Sequence, residues 1–185
     1  MNTQPEYKFR KAEISDVQKL EELIVESSKT INGQYYEKEI INAAIGNIWI
    51  VDEQLILDHT YWLVENQNDE VVACGGWSKR NLLFGNSETA NEKSEPKELN
   101  PETEAAKIRA FFVHPDYVRK GIGKELLNIC ENAAKSNGFK SLELIATLSG
   151  EKLYKTCGFN EKSRIQIDFG KGILGEAIEM RKEIG

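Results

Sequence analysis

The chain has 185 residues, with 24 basic and 30 acidic side chains and a formal charge of −6 at pH 7. That length suits one domain able to bury roughly 70% of its unfolded surface, so a core needs neither disulfides nor metal. The acidic balance speaks against a dedicated nucleic-acid binder, no apolar run reaches the roughly 18 residues of a membrane span, and Cys74, Cys130 and Cys157 form no C-x-x-C pair.

The N-terminus, Met1 to Glu6, lacks the basic and apolar stretches of a secretory leader, so a cytoplasmic protein is expected. Residues 7–12 read as a first strand. Ser15 or Asp16 can cap the helix that follows, in which Val17, Leu20, Leu23 and Ile24 make one apolar stripe. Gly33 interrupts, and residues 37–48 suggest a second helix carrying Ile40, Ile41, Ala44 and Ile45. Strand-like residues 60–65 and 71–77 flank the turn chemistry of Asn66-Gln67-Asn68-Asp69 and predict a hairpin. A mobile polar insertion is expected at about 78–104: from Asn86 to Glu104 the only apolar side chains besides proline are Ala90 and Leu99, too few to offset the entropy of ordering. Beyond it, strands are expected at 105–113, 141–146, 159–169 and 175–182, with helices at 121–135 and 150–157. Strands and helices interleave without a repeat, which makes 1–185 a single mixed α/β (α+β) domain.

The segment that carries chemistry is residues 108–127, IRAFFVHPDYVRKGIGKELL. An apolar strand ends at Val113, a Pro-containing turn follows, and Gly121-Ile122-Gly123 opens an amphipathic helix. The first amides of a helix lack intrahelical partners and sit at the positive end of its dipole, which suits a phosphate. Glycines there allow close approach of an anion, and Arg119, Lys120 and Lys124 add positive charge. Neither familiar phosphate loop fits: position 118 is valine and Glu125 follows Gly123-Lys124, against the P-loop, while Leu126 stands where a dinucleotide fingerprint needs a third small residue. About thirty residues on, Tyr154 precedes Gly158-Phe159 by four, at the end of a short helix.

In this order and spacing the two segments resemble the GNAT superfamily of N-acetyltransferases. The resemblance implies an open, mostly antiparallel mixed sheet whose fourth and fifth strands splay apart, with helices on both faces. It implies that the amides of Arg119, Lys120, Gly121, Ile122, Gly123 and Lys124 hold the pyrophosphate of acetyl-CoA, the co-substrate. The main chain of Phe111 and Val113 would flank its pantetheine arm, as a strand edge flanks an added strand. Tyr154 falls on the family's general acid, a phenol that stays protonated at neutral pH and can hydrogen-bond a departing thiolate. Three residues depart from the pattern: Val118 replaces a usual Gln or Arg, Thr147 a frequent Asn, and Lys107 the glutamate base of histone-acetylating members.

The expected activity is direct acetyl transfer to a primary amine of a small molecule or peptide, with no metal; a non-catalytic acyl-CoA sensor of the same fold is the alternative. A base matters only for some acceptors: a lysine-like amine costs about 4.6 kcal/mol to deprotonate at pH 7, an α-amine about 1 kcal/mol. Glu143, His114 and Glu104 are the candidates and none is assigned, since alternation turns Glu143 to solvent and His114 suits the turn before Pro115. Arg109 alternates with Phe111 and Val113 and should share their face, pairing with a substrate carboxylate or an acidic neighbour. The resemblance places Tyr35 and Tyr36 where the acceptor is received, although packing over the core is the expected role for them as for Trp49, Trp62 and Trp77, and His59 lacks partners for a metal. A cationic acceptor is slightly favoured by charge, and no nucleic-acid or membrane partner is expected. A homodimer is compatible with the sequence, which locates no interface.

Overall fold

A computed structural model describes residues 7–82 and 97–185. The strands are β1 (Lys8–Lys11), β2 (Tyr61–Glu65), β3 (Val71–Ser78), β4 (Ala106–Val113), β5 (Ser141–Ala146), β6 (Asn160–Asp168) and β7 (Leu174–Glu183). They form one sheet in the order β1-β2-β3-β4-β5-β7-β6, antiparallel except where β4 lies parallel to β5. The helices are α1 (Val17–Thr30), α2 (Lys38–Ala44), α3 (Glu53–Leu57), α4 (Ile122–Ser136) and α5 (Glu151–Thr156). The stripe of α1 packs with Leu55 of α3 and Leu63 of β2 in one core cluster. Leu127, Cys130 and Ala134 of α4 pack on Ile108, Leu142 and Ile178 in another. The sheet therefore separates two apolar layers, as the interleaved sequence implies. Among the described residues no helix is long and apolar enough to cross a membrane.

The local differences from expectation have physical causes. Asp16 stands at the start of α1 without capping it; its carboxylate takes the Glu13 N–H at 2.8 Å and both Nη atoms of Arg10 at 2.7 and 2.8 Å. The second helix stops at Ala44 rather than 48, because Gly46 adopts φ +79° and the Trp49 N–H turns back to the Ala44 carbonyl at 2.9 Å. The single turn of α3 is too short for periodicity to reveal, though its cap is visible: Asp52 accepts the Gln54 N–H at 3.0 Å. Of the expected insertion, residues 83–96 lie outside the described residues. Its flanks are tied together, with Leu99 buried and its N–H on the Lys79 carbonyl at 2.7 Å, and Asn81 N–H on the Lys97 carbonyl at 3.1 Å.

Two features of β4 prepare the site. It pairs with β5 only at Ala106↔Leu142 and Lys107↔Glu143, after which the strands part and the rest of β4 has a free edge on that side. A bulge also interrupts its pairing with β3 between Cys74 and Gly76, and Ala110 there takes φ +55°. The extra residue reverses the alternation. Phe111 and Val113 join the α4 layer with Ile108, whereas Ala110 and Phe112 join the α1 layer. Arg109 turns to Asp52 at the start of α3, so it does not share a face with Phe111 and Val113. Gly75 is what admits the bulge, since a Cβ there would lie 2.6 Å from the Phe111 ring.

Candidate functional site

A cavity of about 750 Å³ runs through the gap where β4 and β5 part. At one end stands the start of α4. Arg119 and Gly121 both take left-handed backbone conformations, φ +65° and +83°, and the first intrahelical bond is Glu125 N–H to Gly121 carbonyl at 3.0 Å. The amides of Ile122, Gly123 and Lys124 precede that bond, and all three residues line the cavity. A Cβ at Gly121 would meet nothing within 4 Å, so this end is bare as well as polar. Gly123 has another reason to be small: its Cβ would lie 3.2 Å from Leu153 of α5. Arg119, Lys124 and Lys152 line the same end. Lys120 is the exception among the expected phosphate residues, for it does not line the cavity and its Nζ lies 4.6 Å from the Tyr117 ring centroid.

Phe111 and Val113 line the middle of the cavity, as does Tyr154. The Tyr154 ring is only 8% exposed, edge-on to Phe111 at 6.4 Å and to Phe159 at 5.8 Å. It lies so close over the start of α5 that a Cβ on Gly150 would be 2.9 Å from Cε2. Its hydroxyl makes no hydrogen bond to another described residue, and burial pushes its pKa well above the ordinary value. A phenol of this kind remains a proton donor across the working range of an enzyme.

The far end is formed by the end of α1 and by two connections. Ile31, Tyr35, Ile48 and Ile50 line it, with Trp49 set among them. Trp49 is held from behind by Tyr36 and Phe169, at ring distances of 6.2 and 5.6 Å. Tyr36 thus belongs to the core, its hydroxyl donating to the Glu176 carbonyl at 2.7 Å and accepting the Leu148 N–H at 3.0 Å, while Tyr35 is exposed on the rim. Thr147 meets the Ser149 hydroxyl at 3.0 Å, and Ser149 donates to Oδ1 of the buried Asn32 at 2.5 Å. Sequence reasoning did not single out Asn32, Ser149, Ile48 or Ile50; they come from connections with no periodicity to read.

None of the candidate bases lines the cavity. Glu143 is gripped by Lys107 at 2.5 Å and Arg181 at 2.7 Å; burial would raise its pKa, but these two partners outweigh that and hold it below the ordinary carboxylate value. His114 accepts the Asp116 N–H at 3.2 Å and so shapes the turn, and Glu104 accepts the Asn100 N–H at 2.7 Å. Arg109 is buried against Asp52 at 2.7 Å, which decides for an acidic neighbour over a substrate carboxylate. Among the described residues, no group of three or more His, Cys, Asp or Glu could hold a metal.

The fold that carries this cavity has counterparts among solved structures. The fold is similar to a PaiA N-acetyltransferase from Thermoplasma acidophilum in complex with coenzyme A, at 18% identity and TM-score 0.68 over 97% of this chain and 99% of that one. It is also similar to a GNAT-family acetyltransferase from Staphylococcus aureus Mu50, at 15% identity, TM-score 0.62 and coverage of 96% and 99%. A third is yncA from Salmonella typhimurium with its cofactor acetyl-CoA, at 14% identity, TM-score 0.60 and coverage of 96% and 94%. No curated protein sequence matches the chain. The family model for Acetyltransferase (GNAT) matches residues 19–159, a span that begins in α1 and ends at Phe159 beside Tyr154, and the chain belongs to that family.

Proposed function

We propose that the protein transfers the acetyl group of acetyl-CoA to a primary amine in a ternary complex, with Tyr154 as the general acid. The observation that carries this reading is one continuous cavity with helix-start amides at one end and, in its middle, a phenol without a hydrogen-bond partner among the described residues. The residues present fit acetyl-CoA: the bare approach to Gly121 leaves room for a diphosphate, and the free edge of β4 leaves room for an extended arm. Bound there, acetyl-CoA supplies an activated acyl thioester.

The chain's own residues then divide the work. The amides of Gly121, Ile122, Gly123 and Lys124, with Arg119 and Lys124 as counter-charges, bind the phosphates. Phe111 and Val113 present main-chain groups along the freed edge of β4, and an N–H there can polarise the thioester oxygen. Tyr154 donates its proton to the departing sulfur. Among the described residues no Asp, Glu or His lines the cavity, and water removes the amine's proton before or during attack.

The test is Tyr154→Phe, which keeps the ring and removes the proton. Turnover should fall by about 100- to 10,000-fold, the usual contribution of an acid catalyst, while calorimetry with coenzyme A shows unchanged affinity. For the wild type, rising pH cannot disable the catalyst early: burial holds the phenol protonated, so kcat should hold or rise through about pH 9.5. A basic limb falling below that pH would remove Tyr154 from the role.

A further inference from the structure

The two ends of the cavity differ in charge as well as in material. The cations that line it gather at the α4 end, as Arg119, Lys124 and Lys152, and Arg109 is already committed to Asp52. The far end presents Ile31, Ile48, Ile50 and Tyr35, with Ser27 and Gln34 beside them, and among the described residues it has neither a carboxylate to hold a second ammonium nor an uncommitted cation to hold a substrate carboxylate. Asn32 provides its polar handle. The residue is 4% exposed and lines the cavity, and Oδ1 is taken by Ser149, whereas Nδ2 has no hydrogen-bond partner among the described residues. An amide N–H₂ offered in an apolar chamber is a donor for a neutral carbonyl oxygen.

Resting on the function proposed above, we infer that the acceptor is an α-amine with an apolar body and an uncharged carbonyl, the chemistry of a hydrophobic amino acid amide. The apolar side chain covers Ile31, Ile48 and Ile50, and the Asn32 N–H₂ holds the carbonyl so that the amine faces the thioester. The absence of a base among the described residues of the wall points the same way, because an α-amine costs only about 1 kcal/mol to deprotonate at pH 7 and an alkylamine about 4.6 kcal/mol. Polyamines and aminoglycosides would bring charges that the chamber leaves unpaired and desolvated, which is strongly unfavourable. This runs against the slight preference for cationic acceptors that net charge alone suggests, because the wall and not the outer surface meets the substrate.

The experiment measures coenzyme A release from acetyl-CoA with leucinamide, phenylalaninamide, free leucine, spermidine and kanamycin, alongside calorimetry with coenzyme A. The two amides should exceed spermidine and kanamycin in kcat/KM by about 10- to 100-fold, the factor carried by one buried apolar side chain, and free leucine by at least about tenfold, because its carboxylate is left unpaired. In Ile48→Glu, spermidine should gain at least tenfold on leucinamide with coenzyme A affinity unchanged, and in Asn32→Leu the KM for leucinamide should rise while that for phenethylamine does not. Spermidine, kanamycin or free leucine equalling the amides would overturn the inference and leave the acetyltransferase reading standing. Coenzyme A binding without turnover on any amine would overturn both.

Discussion

At the α4 end the cavity offers main-chain amides set by the left-handed turn at Arg119 and Gly121, whereas at the far end it offers side chains from three separate segments. A main-chain site depends on a few residues adopting one conformation, and it survives most side-chain changes around it. A side-chain site depends on the packing beneath it, here the Trp49, Tyr36 and Phe169 aromatic group and the Arg109–Asp52 pair. The first kind suits a ligand common to many proteins, and the second can be rebuilt for each acceptor. Substitutions should therefore separate the two ends by what they damage.

The largest effect is expected beneath the far end. Asp52→Ala removes the carboxylate facing the buried Arg109 and the cap of α3 together. Breaking a buried ion pair from one side costs about 3–5 kcal/mol, so the thermal midpoint should fall by many degrees before any effect on coenzyme A binding is measurable in the folded fraction. A stable Asp52→Ala would mean that the pair is replaceable by water and that the far end is not held from below. Next comes Gly121→Val at the other end. Its side chain enters the open space before α4, and a non-glycine residue in the left-handed region costs about 1–2 kcal/mol. Loss of one or two charge-assisted hydrogen bonds to phosphate should weaken coenzyme A binding by about 100-fold, read by calorimetry, with the fold retained.

The same contrast explains what could be read without coordinates. The glycine turn that opens α4 was legible because a strand, two glycines and an amphipathic helix are contiguous, and so was the short helix that carries Tyr154 before Gly158-Phe159. The mixed, mostly antiparallel sheet and the parting of β4 from β5 followed from the family likeness, not from periodicity, and the strand order was not read. The bulge at Ala110 was not legible, since alternation assumes a regular strand, and that error placed Arg109 on the wrong face. The partner Asp52 lies 57 residues away, beyond any local pattern. Lys120 shows the reverse limit: charge next to the glycines suggested a phosphate contact, but its side chain turns onto Tyr117.

Smaller changes at glycines distinguish position from conformation. Gly150 has an ordinary φ of −84°, so its smallness serves the Tyr154 ring alone. In Gly150→Ala the new Cβ, 2.9 Å from Cε2, must displace that ring, and misplacing a catalytic group by a fraction of an ångström should cost about tenfold in kcat. Coenzyme A affinity should stay within error. An unchanged kcat would indicate that the ring position is not critical, which would weaken the assignment of Tyr154 rather than that of the phosphate end.

Gly123→Ala should do least. Its Cβ would meet the end of a Leu153 side chain at 3.2 Å, a contact that a flexible leucine can relieve by a few tenths of an ångström. Alanine meanwhile restores about 0.5–1 kcal/mol of helix propensity in the first turn of α4, so the two effects nearly cancel and stability should change by less than about 0.5 kcal/mol. The amide at 123 remains in place, so coenzyme A affinity should hold within about threefold, far from the loss at Gly121. If the two glycines instead weakened binding equally, the phosphate would have to approach Gly123 as closely as Gly121. The bare space beside Gly121 would then no longer mark where the diphosphate lies.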